Sequence, residues 1–159
     1  MPTRQIEPEI LQKLGLFVVR WSGFERLIGD LLCKLLDAER GAGFVITESA
    51  QVRTQTEWCS ALMRLHDMPE ALRNEWADLS ALIENLRRER NALIHGLWGT
   101  DRSPPNTVMV QTMNLQGKEY ITDRLITPGD LDDLIDDTQA AQRRLMTFIG
   151  SFSFRRNDP

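Results

Sequence analysis

One apolar stripe at the start of the chain constrains the fold more than any other sequence feature. Its members follow one another at alternating steps of four and three residues, which is the spacing of one face of an α-helix. The stripe predicts a first helix over about residues 7–39, ended by Gly41 and Gly43. A second apolar set widens this face, so we expect the helix to contact several elements or a second copy of the chain. The stripe is Ile10, Leu14, Phe17, Trp21, Phe24, Ile28, Leu31 and Leu35, and the second set is Leu11, Val18, Leu27 and Leu32.

Three later segments also have helical periodicity. The pattern over residues 48–65 is the weakest and does not fix which face is buried. The segment Asp67-Met68-Pro69-Glu70 combines a candidate N-cap, an early proline and an acid three positions after the cap, and it predicts the start of a third helix. The apolar stripe of this helix extends to Leu97 by its spacing, and Gly96 is its candidate stop signal. The segment Thr127-Pro128-Gly129-Asp130 repeats this signature and predicts the last helix.

The pattern between the third and last helices is β-like. Residues 103–106, Ser-Pro-Pro-Asn, are typical of a turn, and β-prone runs follow over 107–113 and 120–126. The prediction is therefore a mainly α protein, an antiparallel four-helix bundle with a small β-hairpin or three-strand meander inserted between the third and last helices. We expect one domain over residues 1–154 and a frayed tail over 155–159.

Composition and motifs exclude several classes of function. A net charge of −4 argues against non-specific coating of nucleic acid. The apolar runs are too short for a membrane span and the N-terminus is polar, so we expect a cytoplasmic protein without a secretory leader. Cys33 and Cys59 are interpreted as small buried hydrophobic residues. The chain has no P-loop, GxSxG or HExxH motif and only two histidines, and the aspartates that open the last helix match its dipole, so no cofactor or metal is expected.

Arg90 stands out because it falls inside the apolar stripe of the third helix, between Leu86 and Leu93. Burying a guanidinium without a partner is costly. Arg90 must therefore pair with a carboxylate, face a subunit interface or line a polar cavity. Glu25 also lies in an apolar arc and is the first candidate partner, so a structural Arg–Glu bridge is the simplest interpretation of the helical wheel.

The residues around Arg90 favour a functional site. Asn91 and His95 share one helix face, and Glu84 and Arg88 lie on the same side. Arg90 and His95 are about 140° apart around an ideal helix, so one regular helix does not easily aim both at one atom. We expect a distorted last turn, an Arg90 side chain that reaches round the helix, or a second copy of the helix that completes the site.

The run Arg90-Asn91-Ala92-Leu93-Ile94-His95 resembles the R-x4-6-H motif of the HEPN superfamily (higher eukaryote and prokaryote nucleotide-binding), in which a polar residue usually follows the Arg. Beyond the motif, the resemblance extends only to helix order. It implies a helical bundle with the motif on the third helix and a homodimer in which two motifs face one cleft. It also implies either a metal-independent endoribonuclease of toxin–antitoxin or other defence systems, or a module that has lost activity. Toxin relatives often carry an aromatic residue, commonly tyrosine, shortly after the His, whereas Leu97 and Trp98 follow here.

Cleavage of RNA without a metal requires a base for the 2′-hydroxyl proton, an acid for the leaving oxygen and fixed positive charge at the phosphate. His95 is suited to the proton transfers, Arg90 to the phosphate, and Asn91 to orienting either. Arg88 and Trp98 are candidate substrate-binding residues, although Trp98 equally suits a hydrophobic plug where helix meets hairpin. The leading hypothesis is an RNA-cleaving or RNA-binding homodimer, with an antitoxin or regulatory protein as a further partner. The alternative is a non-catalytic interaction module in which Arg90 forms a structural ion pair.

Overall fold

The computed structural model describes residues 5–99, 104–113 and 121–151. Within these ranges the protein is mainly helical, with five helices and a three-stranded antiparallel sheet. The predicted tail over 155–159 lies outside the described residues. The helices are α1 (Pro8–Leu35), α2 (Arg40–Ser49), α3 (Val52–Leu65), α4 (Glu70–His95) and α5 (Pro128–Ser151), and the strands are β1 (Leu97–Gly99), β2 (Val108–Met113) and β3 (Ile121–Ile126).

The prediction of four helices was wrong, because the segment after α1 forms a helix of its own. Asp37 ends α1 in the left-handed region with φ of 50°, and the Ala38 amide reaches back to the Cys33 carbonyl at 3.1 Å. This is the Schellman closure, with an aspartate where glycine is common. Gly41 and Gly43 therefore do not end α1. They lie in α2, where a Cβ on Gly43 would collide with the Cys33 thiol.

The end of α3 corrects a second prediction. Asp67 is not the N-cap of the next helix, since it occupies the left-handed position after α3 with φ of 47°. The Met68 amide closes onto the Met63 carbonyl at 3.1 Å, as at the end of α1. The Asp67 carboxylate lies 3.6 Å from the guanidinium of Arg73 in α4. The proline and acid that follow still mark the start of α4, which begins at Glu70.

The described residues fall into two compact units, and α1, α4 and α5 each contribute one segment to each unit. Unit 1 contains residues up to Trp21 and Leu86–Thr138. Its sheet is a meander in the order β1-β2-β3, which confirms the predicted β excursion. Leu97 belongs to β1 and not, as its spacing suggested, to the third helix. The apolar core of unit 1 consists of Ile10, Phe17, Trp21, Leu86, Leu93, Val108, Val110, Ile126, Leu131, Leu134 and Ile135.

Unit 2 contains Ser22–Asn85 and the chain from Gln139 onward. The rings of Trp76 and Phe148 stack with centroids 5.8 Å apart, and the Trp76 indole donates to the Ser60 hydroxyl at 2.8 Å. Cys59 is buried as predicted, and burial raises the pKa of its thiol to about 12. Cys33 is only half-buried, and both cysteines are free thiols.

The predicted cap of α5 is confirmed. The Asp130 amide donates to the Thr127 hydroxyl at 3.1 Å, and the Asp130 carboxylate accepts from the Thr127 amide at 2.8 Å and from its hydroxyl at 2.7 Å. Each side chain thus satisfies a backbone group of the other residue. These hydrogen bonds lower the pKa of Asp130, with the hydroxyl contributing most. Among the described helices, none is long and apolar enough to cross a membrane.

Candidate functional site

Gly96 positions the candidate site by ending α4 directly after His95. Its amide completes the helical ladder to the Ala92 carbonyl at 3.0 Å. Its φ is not positive, so the usual reason for a glycine at a helix end does not apply. A Cβ at this position would collide with the Ala92 carbonyl oxygen and the Val110 side chain. The predicted stop is therefore correct, but its physical reason is the space that β2 needs to pack against the helix end.

Arg90 and His95 meet within one chain. The Arg90 Nη1 atom lies 3.4 Å from His95 Nε2 and donates to Asn91 Oδ1 at 3.1 Å. The helix remains regular to its last residue. Of the three arrangements expected from the helical wheel, the structure thus shows the Arg90 side chain reaching round the helix. Its long, flexible stem covers the angular gap that a short side chain cannot cover.

The contact favours one tautomer of the imidazole. A guanidinium has only donors, so His95 Nε2 can interact with it favourably only as an acceptor. In that arrangement the ring proton lies on Nδ1. His95 is exposed, whereas Arg90 and Asn91 are half-buried. The result is a solvent-facing imidazole beside a cation that the neighbouring amide oxygen holds in place.

The surroundings of Arg90 differ from a buried ion pair. Arg90 is half-buried rather than enclosed in the apolar stripe. Among the described residues of unit 1, no carboxylate forms an ion pair with it. The adjacent Glu89 carboxylate pairs instead with the guanidinium of Arg124 in β3. Glu25 belongs to unit 2, and its pairing with Arg90 stays a prediction. Within unit 1, the partners of Arg90 are thus Asn91 and His95.

The structure gives Trp98 a structural contact. Its indole Nε1 donates to the Leu93 carbonyl at 2.7 Å. That carbonyl lies in the last turn of α4, where no further helical amide is available. Trp98 is half-buried in β1 opposite Val110. This bond favours the plug over the base-stacking platform, the two interpretations that the sequence left open. Arg88, the other predicted substrate-binding residue, is exposed on α4.

A groove of about 290 Å³ lies along α4 in unit 1. Its acidic side chains are Glu89 of α4 and three aspartates from the start of α5, Asp130, Asp133 and Asp137. Among the described residues, no cluster of three or more His, Cys, Asp or Glu side chains is arranged to hold a metal ion. The fixed negative charge repels a polyanion from this side of α4. This groove is therefore a poor site for a phosphate, and neither Arg90 nor His95 lines it.

The outer face of the sheet exposes large apolar side chains on either side of a hydrogen-bonded polar pair, Gln111 and Asp123, and the sequence patterns did not predict this surface. The opposite face carries the buried Val108, Val110 and Ile126. This surface was missed because the predicted β-prone runs begin at residue 107, so neither β1 nor its pairing with β2 was predicted. Its exposed members are Leu97 of β1, Met113 of β2, and Ile121 and Leu125 of β3. We call these four residues the outer sheet face.

Comparison with models of known protein families, with curated proteins and with solved structures finds no match. The resemblance to the HEPN superfamily therefore depends on the segment from Arg90 to His95. Within that segment, one guanidinium nitrogen of Arg90 lies within hydrogen-bonding distance of both Asn91 and His95.

Proposed function

We propose that this protein is a metal-independent endoribonuclease of the HEPN type, acting on RNA in the cytoplasm through Arg90, Asn91 and His95. The observation that carries the proposal is the 3.4 Å approach of Arg90 Nη1 to His95 Nε2 in a single chain. An exposed imidazole beside a permanent cation supplies two of the groups that metal-free cleavage needs. The Asn91 oxygen, 3.1 Å from the same guanidinium nitrogen, orients the cation.

The same contact suggests how substrate activates the site. In the free protein the Nε2 lone pair faces the guanidinium and is not free to take a proton. A phosphate binds a guanidinium more strongly than a neutral imidazole does, because its oxygens are charged and accept two parallel hydrogen bonds. Substrate would thus draw Arg90 onto the non-bridging oxygens and release Nε2. His95 then removes the 2′-hydroxyl proton, the 2′-oxygen attacks phosphorus, and the bond to the 5′-oxygen breaks.

The leaving 5′-oxygen requires a proton from a second group. We propose that a second copy of the chain donates it from its own His95, which carries a proton on both ring nitrogens once the phosphate has drawn that copy's Arg90 away. This makes the active form a homodimer. The outer sheet face supports this, because β1 begins at Leu97, immediately past Gly96 at the end of α4. Leu97 is 71% exposed and Met113 79% exposed, so burying this face against another copy removes apolar surface from water. It would also bring the two helix ends into one neighbourhood.

Purified protein incubated with RNA in EDTA tests the proposal. We expect cleavage, and we expect His95→Ala and Arg90→Ala each to reduce the rate by about 100-fold or more, the usual scale of a general acid–base group. Arg143→Ala is the matched control, because Arg143 is exposed on α5 in unit 2 and should leave the rate unchanged. Both site variants should keep the wild-type circular dichroism spectrum. Activity that survives both substitutions overturns the proposal.

A second candidate function is a non-catalytic interaction module that binds an antitoxin-like or regulatory protein. The outer sheet face favours it, since exposed apolar patches commonly mark protein-binding surfaces. Replacing Leu97 and Ile121 by serine separates the two functions. If the protein is an interaction module, the double serine variant should lose its partner, and the Arg90 and His95 substitutions should leave partner binding unchanged. If the protein is a ribonuclease, the double serine variant should lose dimerisation together with cleavage.

A further inference from the structure

A polar groove in unit 2, remote in sequence from Arg90 and His95, has the features of a second binding site. It has a volume of about 460 Å³, within the range of small-molecule sites. Three helices line it, with Glu25 and Arg26 from α1, Glu48 from α2 and Gln55 from α3. Carboxylate and carboxamide groups are therefore grouped around one opening.

The groove carries a net negative charge. Arg26 is already engaged, since its guanidinium lies 3.5 Å from the Asp30 carboxylate and 5.2 Å from the centre of the Phe44 ring. Among the described residues of unit 2, Glu25 and Glu48 form no ion pair. Glu25 is half-buried and Glu48 is exposed. Two carboxylates from different helices thus border the groove, and neither forms an ion pair among the described residues of unit 2.

Gln55 adds an acceptor that the fold leaves unused. The side chain is 6% exposed, and its Nε2 donates to the carbonyls of Thr47 at 2.9 Å and Ala50 at 2.8 Å. These two bonds fix the orientation of the amide, because a flipped amide would place its oxygen against two carbonyl oxygens. The Oε1 atom is buried and has no hydrogen-bond partner among the described residues. A buried acceptor in this state is unusual in a folded protein and gains free energy when it meets a donor.

We propose that this groove binds a small alkyl ammonium ion, and specifically a diamine or polyamine. An ammonium group has three N–H donors and no acceptor, which complements a site whose free groups are the Gln55 oxygen and two carboxylates. Carboxylates on both α1 and α2 favour a ligand with more than one positive charge. A phosphate or carboxylate ligand has the wrong charge, and a quaternary ammonium has the right charge without the donors. The ligand is thus defined by charge and donors together.

Calorimetric titration with putrescine tests this proposal. We expect saturable binding at one site per chain. Glu25→Gln and Glu48→Gln should each weaken it by about tenfold, because each removes one charge-assisted hydrogen bond. The bis(trimethylammonium) analogue of putrescine has the same charge but no N–H groups. Its affinity for the wild-type protein should be no higher than the affinity of putrescine for either glutamate variant. In nitrogen–proton NMR spectra, putrescine should shift the amides of Thr47 and Gln55.

Glu39→Gln is the matched control, because Glu39 is exposed before α2, its side chain makes no capping bond and it does not line the groove. Its affinity for putrescine should equal that of the wild type. Gln55→Met, verified as folded by circular dichroism, should abolish binding, and the glutamate variants decide the question if it does not fold. Three results would overturn the proposal: no saturable binding, equal binding of the quaternary analogue, or saturable binding of magnesium with none of putrescine.

Discussion

The guanidinium of Arg90 contacts the imidazole of His95 at 3.4 Å from a position five residues earlier on the same helix. The contact requires that the proton of the neutral His95 ring lie on Nδ1, with Nε2 unprotonated and accepting from Arg90. His66 provides the opposite case, because its Nε2 lies 2.8 Å from the Leu35 carbonyl oxygen, which can only accept. The two histidines of the chain should therefore be opposite tautomers when neutral.

Nitrogen-15 NMR of the histidine rings measures this directly. We expect Nδ1–H for His95 and Nε2–H for His66 in the wild-type protein. In Arg90→Ala, His95 should lose its preference for the Nδ1–H tautomer, since nothing then donates to His95 Nε2. His66 should keep its Nε2–H tautomer. Finding Nε2–H at both rings of the wild type would mean that Arg90 does not hold His95 in solution.

Replacing Trp98 separates its structural contact from a role in binding bases. Trp98→Phe keeps an aromatic ring but loses the indole donor to the Leu93 carbonyl. We expect a loss of about 1 kcal/mol in the free energy of unfolding, the usual net contribution of one hydrogen bond. Urea denaturation measures it. RNA binding should be unchanged by this substitution, and a loss of RNA affinity at unchanged stability would restore the stacking interpretation.

Gly96→Ala tests the packing of β2 against the end of α4. The added methyl would collide with the Ala92 carbonyl oxygen and the Val110 side chain. We expect a destabilisation of about 2 kcal/mol, as for overpacking in other cores. Gly99→Ala is the matched control, because a Cβ at Gly99 would have no atom within 4 Å. Equal stability of the two variants in urea denaturation would contradict the close approach.

Asp130 should give the stability of α5 a pH dependence of known sign. The hydrogen bonds from Thr127 hold the pKa of Asp130 below its ordinary value of 3.8, so folding favours the carboxylate. The contribution of Asp130 to the free energy of unfolding is therefore fully present when the pH is above the ordinary pKa. It is lost as the pH falls through the lower pKa of the folded state. Asp130→Ala should cost about 1 kcal/mol near neutral pH.

The difference between Asp130→Ala and the wild type should shrink on acidification. Thermal unfolding of both proteins between about pH 6 and about pH 3 follows it. Asp133→Ala is the control, because Asp133 is exposed on the same helix outside the capping pair. A difference that stays constant or grows as the pH falls would show that Asp130 does not act through its carboxylate.

Local sequence patterns correctly predicted the starts of two helices. The start of α5 follows from the Thr127–Asp130 pair, and the start of α4 from the proline and acid after Asp67. The end of α1 could not be predicted in this way, because an aspartate can take the left-handed position that the glycine rule assigns to glycine. Residues 40–47, which lie between the predicted first and second helices, consequently belong to α2.

The sequence by itself determined that Arg90, Asn91 and His95 lie in the last turns of a long amphipathic helix, because apolar period and helix-end signals act within a few residues. Only the tertiary structure decided that Arg90 reaches His95 and that Trp98 bonds to the Leu93 carbonyl. It also decided that Gly96 leaves room for β2, and that Gln55 keeps an unused oxygen in a charged groove. These relationships depend on side-chain reach and on strands and helices distant in sequence, which a helical wheel does not contain.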